Sequence, residues 1–576
     1  MLNCRLFALL ALTLCLVCGP LALAAPPDAG QMLNKERQPG TKLPDRLPRD
    51  KGTEAERPPL KDTGIKVLVK GFRFSGSQSL ATDAELEALL RGSIGKELGI
   101  AELKRLAERV TAYLREQKGY LLARAYLPKQ DITDGIIEIA VIAGRIEGKV
   151  KVKVKEPRRI SQGLLEGIAG KALKPGSAIR MKEIERAILL MNDLPGISSR
   201  ASLERGATPG TTRLGIDVAE GPLVSGLISG DNYGDRYTGI WRGTGQLAVN
   251  DPFGLGDQLN LSFTGADHMY QGTAGYFLPL WSTGLTWSFS YTGLYYELGD
   301  ELASLDADGR ADTFATSFSY PILRTRNASV WTALGFEYIM LTDEANSVVT
   351  SDRNLQVGNA GVSGNFFDSL GGGGLSSANF SLYSGDLDFS GPSGAEAADR
   401  SGPRNAGSFV RATYSLARLQ RLTRLISLFG SVRGQVSDNN LDSSQKLILG
   451  GPTGVRAYPV GEASGDEGHI MTFEARFDVP SITSWAKVQL IGFMDTGCIR
   501  LHKFPWDGSI TNATNSNNYW LSGAGVGIVV GKAGLYSLRT SYAHKIGDND
   551  GRSVNGNDAD NRDDNGRFWV QAVAWF

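Results

Sequence analysis

Cysteine is nearly missing from this 576-residue chain: Cys4, Cys15 and Cys18 lie in its first twenty residues, and Cys498 stands alone. A single late thiol excludes an intramolecular disulfide framework. Histidine is as sparse, and His268, His469, His502 and His544 fall in unrelated segments without metal-ligand spacing. Catalysis and metal binding need convergent groups, so the pattern offers no catalytic residue, no metal site and no cofactor. Excess charge is also lacking, with 61 basic against 61 acidic residues, which argues against a nucleic-acid partner. Past residue 25 no run of 18 apolar residues occurs, which excludes a membrane-spanning helix but not a barrel built from short alternating strands.

What is present begins with one basic residue, Arg5, then an apolar run from Leu6 to Leu23 and the small-residue string Ala22-Leu23-Ala24-Ala25. That order reads as a secretory signal peptide over residues 1–24, cut after Ala24 because Pro26 disfavours cutting one residue later. Residues 25–64 follow as a short helix, Asp28 to Arg37, and a proline-rich charged linker.

Composition changes abruptly near residue 222. All nine tryptophans and 15 of 18 tyrosines lie beyond it, whereas lysine falls from 17 in residues 25–222 to five afterwards. A lipid-facing surface excludes lysine and gathers aromatics at its interfaces. Period-two alternation runs through the same region: "LTWSFSYT" sets Leu285, Trp287, Phe289 and Tyr291 against Thr286, Ser288, Ser290 and Thr292. "IMTFEARFDV" sets Met471, Phe473, Ala475, Phe477 and Val479 against Thr472, Glu474, Arg476 and Asp478. Sixteen such strands can be counted over residues 223–576, with links that tend to switch between short ("LWSTG", "GKAG") and long, polar ones. Short turns on one rim and long loops on the other predict a sixteen-stranded antiparallel transmembrane barrel, set in outer-membrane lipid with both chain ends periplasmic. The last strand, "RFWVQAVAWF", ends on an aromatic residue, which resembles the C-terminal signal of bacterial outer-membrane proteins.

The lysine-rich half reads as two consecutive β-α-α-β-β units, residues 65–155 and 156–222. In the first, "AELKRLAERVTAYLREQKG" places Leu103, Leu106, Val110, Tyr113 and Leu114 on one helical face and stops at Gly119. "KVKVKVK" (149–155) puts its lysines on one side of a solvated edge strand. "GAGVGIVVGKAG" (523–534) is a strand and short turn rather than a nucleotide loop, because Ala533 follows Lys532 where a phosphate loop needs Ser or Thr. The Asp/Asn-rich loop 555–566 reads as solvated.

"GYLLARAYLPKQDITDGIIEIAVIAGRIE" resembles the first POTRA domain of the two-partner secretion transporters, the TpsB family of hemolysin and hemagglutinin secretion proteins. "LLMNDLPG", "PGTTRLGIDVAEGP" and "DNYGDRYTG" resemble that family's second POTRA domain and first barrel strand. The resemblance covers nearly the whole chain after the signal. It implies a periplasmic POTRA pair before the barrel, and export of a large, unfolded β-helical exoprotein of adhesin or hemolysin type (TpsA-like) without nucleotide hydrolysis. A monomeric barrel and a helix that plugs the pore at rest go with it. A BamA-like insertase of the same superfamily is the alternative, although insertases usually carry more POTRA domains. The family's V-R-G-Y loop signature is matched by Val455, Arg456, Ala457 and Tyr458, and its F-x-D-x-G strand signature by Phe493, Asp495 and Gly497. Alternation through "KVQLIGFMDTG" points Asp495 into the lumen, where it can receive a bidentate arginine. The expectation is a loop between strands 11 and 12 that folds into the pore and pairs Arg456 with Asp495. Ala457, standing where the family has glycine, disfavours a positive φ there.

Overall fold

The computed structural model describes residues 26–37, 66–131, 133–156, 158–208, 210–480 and 485–576. The expected signal peptide, residues 1–24, and most of the expected linker lie outside them. From residue 224 onward sixteen antiparallel strands close into a barrel, with strand 1 (Val224–Asp231) paired to strand 16 (Gly566–Trp575) from Leu227↔Trp575 to Asp231↔Gln571. The alternation explains the closure, since the strands turn an apolar face outward and an inner face that is polar or small except where the lumen is filled, as around Leu294, Ile339 and Phe493. On strand 13 (Lys487–Arg500), Leu490 and Met494 are exposed outward, while Gln489, Ile491, Phe493 and Asp495 are buried within.

The short turns fall on one rim. On the other, long links join strands 9 and 10, 11 and 12, 13 and 14, and 15 and 16, but strands 7 (Ala328–Ala345) and 8 (Val348–Asp368) meet in a two-residue hairpin. Asn346 and Ser347, at φ 50° and 59°, form that turn, which suits the twist of two long paired strands.

The first α/β unit packs helices Asp83–Leu90 and Ile100–Ala112 on a sheet of Gly71–Ser75, Ile136–Ile142 and Arg124–Tyr126. Leu86, Leu103, Val110, Leu114, Ile137 and Ile139 form its core. Thr82 and Glu85 cap the first helix reciprocally. The second unit packs helices Gln162–Ala172 and Met181–Asn192 on a sheet centred on Thr211–Glu220. Lys151–Val154 is an edge strand, as its alternation predicts, but it pairs parallel with Gly215–Val218 and so belongs to the second sheet, not to a first unit ending at residue 155. The chain passes between units at Gly144, φ 61°, where a Cβ would meet the Leu122 Cβ at 2.4 Å. Val152 then packs into the second core while Lys151 and Lys153 stay in solvent.

The units are joined tightly. The Leu121 and Met181 amides donate across the junction to Ile179 and Gly119, and the Arg180 guanidinium lies 4.7 Å over the Tyr120 ring. The second unit is seated on the short-turn rim, where Arg324 donates to both oxygens of Asp193 at 2.9 and 2.6 Å and the Ser161 amide donates to the Gly254 carbonyl.

Inside the barrel lies the helix Ala29–Arg37, one residue shorter than the sequence pattern predicts because Asp28 caps it, accepting from the Gln31 amide at 2.8 Å. Its Met32 and Leu33 are buried against lumen-facing Leu294, Tyr296, Ile339, Leu341 and Leu355.

Candidate functional site

The link between strand 11 (Ile426–Ser437) and strand 12 (Glu467–Asp478) starts at the long-loop rim and turns inward. A short pairing of Leu447–Ile448 with Ser464–Gly465 closes its neck. Its tip buries Leu449, Val455, Ala457 and Tyr458 completely against Ile491, Phe493 and Leu521 of the wall. The Val455 amide donates to the Leu449 carbonyl at 2.7 Å, which folds the tip back on itself.

That fold delivers Arg456 to strand 13. Its Nε donates to Asp495 Oδ2 at 2.7 Å and its Nη2 to Oδ1 at 2.9 Å, a side-on bidentate pair. Nη1 donates to Glu474 Oε1 at 2.9 Å, and the guanidinium lies 3.4 Å from the centroid of the Phe493 ring. Arg476 donates to the other oxygen of Glu474 at 2.8 Å, and Thr472 donates to Asp495. Two cations thus meet two carboxylates in a neutral, nearly dry quartet. On strand 16, Trp569 donates through Nε1 to the Arg456 carbonyl at 2.7 Å. The cluster anchors a backbone, and the half-breaking of such a buried set costs about 3–5 kcal/mol.

The motif glycine and alanine have steric roles. Gly497 makes room for the loop, because a Cβ there would meet Leu449 Cδ2 at 3.1 Å. Ala457 is not among the residues with positive φ; Gly451, Gly461 and Ala463 carry the loop's left-handed turns at 112°, 89° and 57°. The Ala457 methyl fits because Gly523, directly opposite Asp495 on strand 14 (Asn518–Lys532), has no side chain: a Cβ at 523 would lie 2.4 Å from it. Glu474, Thr472 and Trp569 are members of the site that the two motifs do not include. Alternation put Glu474, Thr472 and Arg476 on the polar face, and that was the available signal.

Further along the loop, buried Glu462 accepts from the Asn549 amide at 2.9 Å and the Ala559 backbone at 2.6 Å, both in the link between strands 15 and 16. Burial, and then the charge of Asp558, push its carboxyl up to about 7.

The helix in the lumen is held by polar contacts at both ends. Lys35 pairs with Asp235 at 2.7 Å, Glu36 with Arg242 at 2.7 Å and Arg37 with Glu337 at 3.1 Å. Asn34 donates to the Ser443 and Lys446 carbonyls of the inward loop. Among the described residues no grouping of His, Cys, Asp and Glu can hold a metal ion.

Comparison with known proteins agrees with this architecture. Residues 67–144 match the POTRA domain of ShlB type, and residues 210–530, more than half the chain, match the family described as haemolysin secretion/activation protein ShlB/FhaC/HecB. The heme/hemopexin transporter protein HuxB of Haemophilus influenzae is 27% identical over 504 residues, 87% of this chain and 85% of that protein. The outer membrane transporter CdiB of Dickeya dadantii is 24% identical, covering 76% of each. The structure of CdiB from Escherichia coli superposes with a TM-score of 0.70 at 20% identity, covering 95% of this chain and 96% of that one. BamA from Haemophilus ducreyi lacking POTRA domains 1–3 follows at 0.51 and 14%. The matched segment, the POTRA unit and the sixteen-stranded barrel together place this chain in the haemolysin secretion/activation (ShlB/FhaC/HecB) family, outer-membrane transporters of Gram-negative bacteria that secrete a partner exoprotein.

Proposed function

We propose that the barrel lumen is the export path for one large, unfolded, β-rich exoprotein, and that the helix Ala29–Arg37 blocks this path at rest. The observation that carries this reading is the way the helix is held. It is buried in the lumen through three apolar side chains, Ala29, Met32 and Leu33, of which only Met32 and Leu33 are large, and otherwise by ion pairs and hydrogen bonds that water can replace. A segment so held can leave without dismantling a core. The linker that follows gives it reach; twenty-eight residues, 38–65, separate it from the first POTRA strand.

The POTRA pair captures the partner by offering strand edges such as Lys151–Val154 and Ile197–Arg205 to an extended segment. The Arg456–Asp495 pair keeps the inward loop on the wall formed by strands 12 to 14, so the loop shapes the passage and does not wander in it. No nucleotide is needed, and folding of the partner outside biases its movement outward. The outward side chains Ile228, Leu334, Phe380, Met494 and Val526 meet outer-membrane lipid around a monomeric barrel.

Deleting the gene and comparing both the culture medium and the outer membrane tests the reading. Loss of one large exoprotein with the other barrel proteins intact is the expected result. General loss of barrel proteins would point instead to an insertase.

A further inference from the structure

One guanidinium ties the helix, the wall and the inward loop together. Arg353, on strand 8, is buried; its Nη1 donates to Asp442 of the loop base at 2.7 Å and to Asp28 of the helix cap at 3.3 Å, and its Nη2 donates to Asp343 of strand 7 at 2.8 Å. The three carboxylates come from segments far apart in the chain and converge on one cation. The helix N-terminus supplies part of the missing positive charge, since the Ala29 amide donates to Asp343 at 2.7 Å. Ser443, next to Asp442, donates to Asp28 at 2.6 Å. Gly30 lies so close to this turn that a Cβ there would meet Ser443 Oγ at 2.3 Å and the Ser444 nitrogen at 2.8 Å.

The dependence is lopsided. The loop has anchors that do not involve the helix: Arg353 to Asp442, Lys446 to the Leu501 carbonyl at 3.0 Å, Arg456 to Asp495 and Asn549 to Glu462. At its cap the helix rests on Arg353, Asp343, the loop base and the wall residue Tyr296, whose hydroxyl donates to the Pro27 carbonyl at 3.4 Å, so part of its seat is the loop itself. From this we infer that Arg353 is a positioning residue for gating: it holds the loop base as the seat of the helix, so the helix leaves first and the loop stays docked. The inference rests on the helix being the resting plug and adds the order in which the two elements move.

Without Arg353 the three carboxylates would repel one another, and removing one of them should then favour the plugged state. This gives a reversal of sign that a merely structural role would not produce. Conductance of the purified full-length protein in planar bilayers reads it. With Arg353 present, Asp28→Asn should raise the open fraction by at least about fivefold; in an Arg353→Met background the same change should lower it by a similar factor. Gly30→Val, which forces the helix off sterically, should open the pore while hydrogen exchange of amides 449–458 changes less than about twofold. A heat-modifiable gel band confirms that each barrel is folded, and the neutral Arg353→Gln serves if Arg353→Met is not. Asp28→Asn acting in the same direction in both backgrounds, or Gly30→Val freeing the loop amides, would overturn the inference. An unchanged conductance in Gly30→Val would instead overturn the plug reading beneath it.

Discussion

The Asp495 carboxylate holds the Arg456 guanidinium side-on, with Nε at 2.7 Å and Nη2 at 2.9 Å, and does so at the tip of a loop that enters the lumen from the far rim. Thirty-nine residues separate the two along the chain. Arg456→Ala leaves Asp495 with no cation and Glu474 with Arg476 alone in a nearly dry site, which should weaken loop docking by about 3–5 kcal/mol. Secretion of the partner should drop sharply while the barrel still assembles, as read from medium and outer-membrane fractions of the same culture. Arg456→Lys should rescue little, because an ammonium cannot bridge both oxygens of Asp495 and also reach Glu474.

Glu474 should matter nearly as much. It accepts from Arg456 at 2.9 Å and Arg476 at 2.8 Å, so Glu474→Ala takes one charged acceptor from each of two cations and should cost about 1.5–3 kcal/mol of loop docking. In a double-mutant cycle, Glu474→Ala and Arg456→Ala should be clearly non-additive, measured as protease resistance of the loop in detergent.

The contact between Ala457 and Gly523 predicts a steric swap. Gly523→Ala places a methyl where the Ala457 Cβ already lies and should cost about 1–3 kcal/mol. Combining it with Ala457→Gly should recover most of that loss. The same protease assay reads both.

Glu462 gives the loop a pH dependence. Its carboxyl is raised by burial and then Asp558 to about 7 against an ordinary 4.5, so between those two values it stays protonated in the folded protein while it would ionise in the unfolded one. Its favourable contribution is therefore full below about pH 4.5 and is lost as pH rises through about 7. Protection factors of the loop amides, with the intrinsic pH dependence of exchange divided out, should be larger at pH 5.5 than at pH 8, and Glu462→Gln should flatten the difference.

Much of this architecture is legible along the chain because its causes are local. Period-two alternation fixes which face of "KVQLIGFMDTG" meets lipid, and a short polar loop motif marks where the lumen is crossed. Other parts have no local cause. Lys151–Val154 pairs with a strand some sixty residues later, so its alternation shows an edge strand but not whose edge. Arg353 gathers carboxylates from positions 28, 343 and 442, and no spacing announces such a convergence. Gly523 looks like any glycine in a glycine-rich strand until Ala457 is seen beside it. Glu474 is intermediate: its face was readable and its partner was not.

The most direct measurement pins the helix in place. Asn34 donates to the carbonyls of Ser443 and Lys446 at 3.1 and 2.6 Å, so Asn34→Cys with Ser443→Cys, in a Cys498→Ser background, should be joined by oxidation or a short thiol crosslinker. If the helix must leave the lumen for the partner to pass, the oxidised protein should secrete none of it and reductant should restore export. Export at the normal rate with the helix covalently fixed would contradict the account.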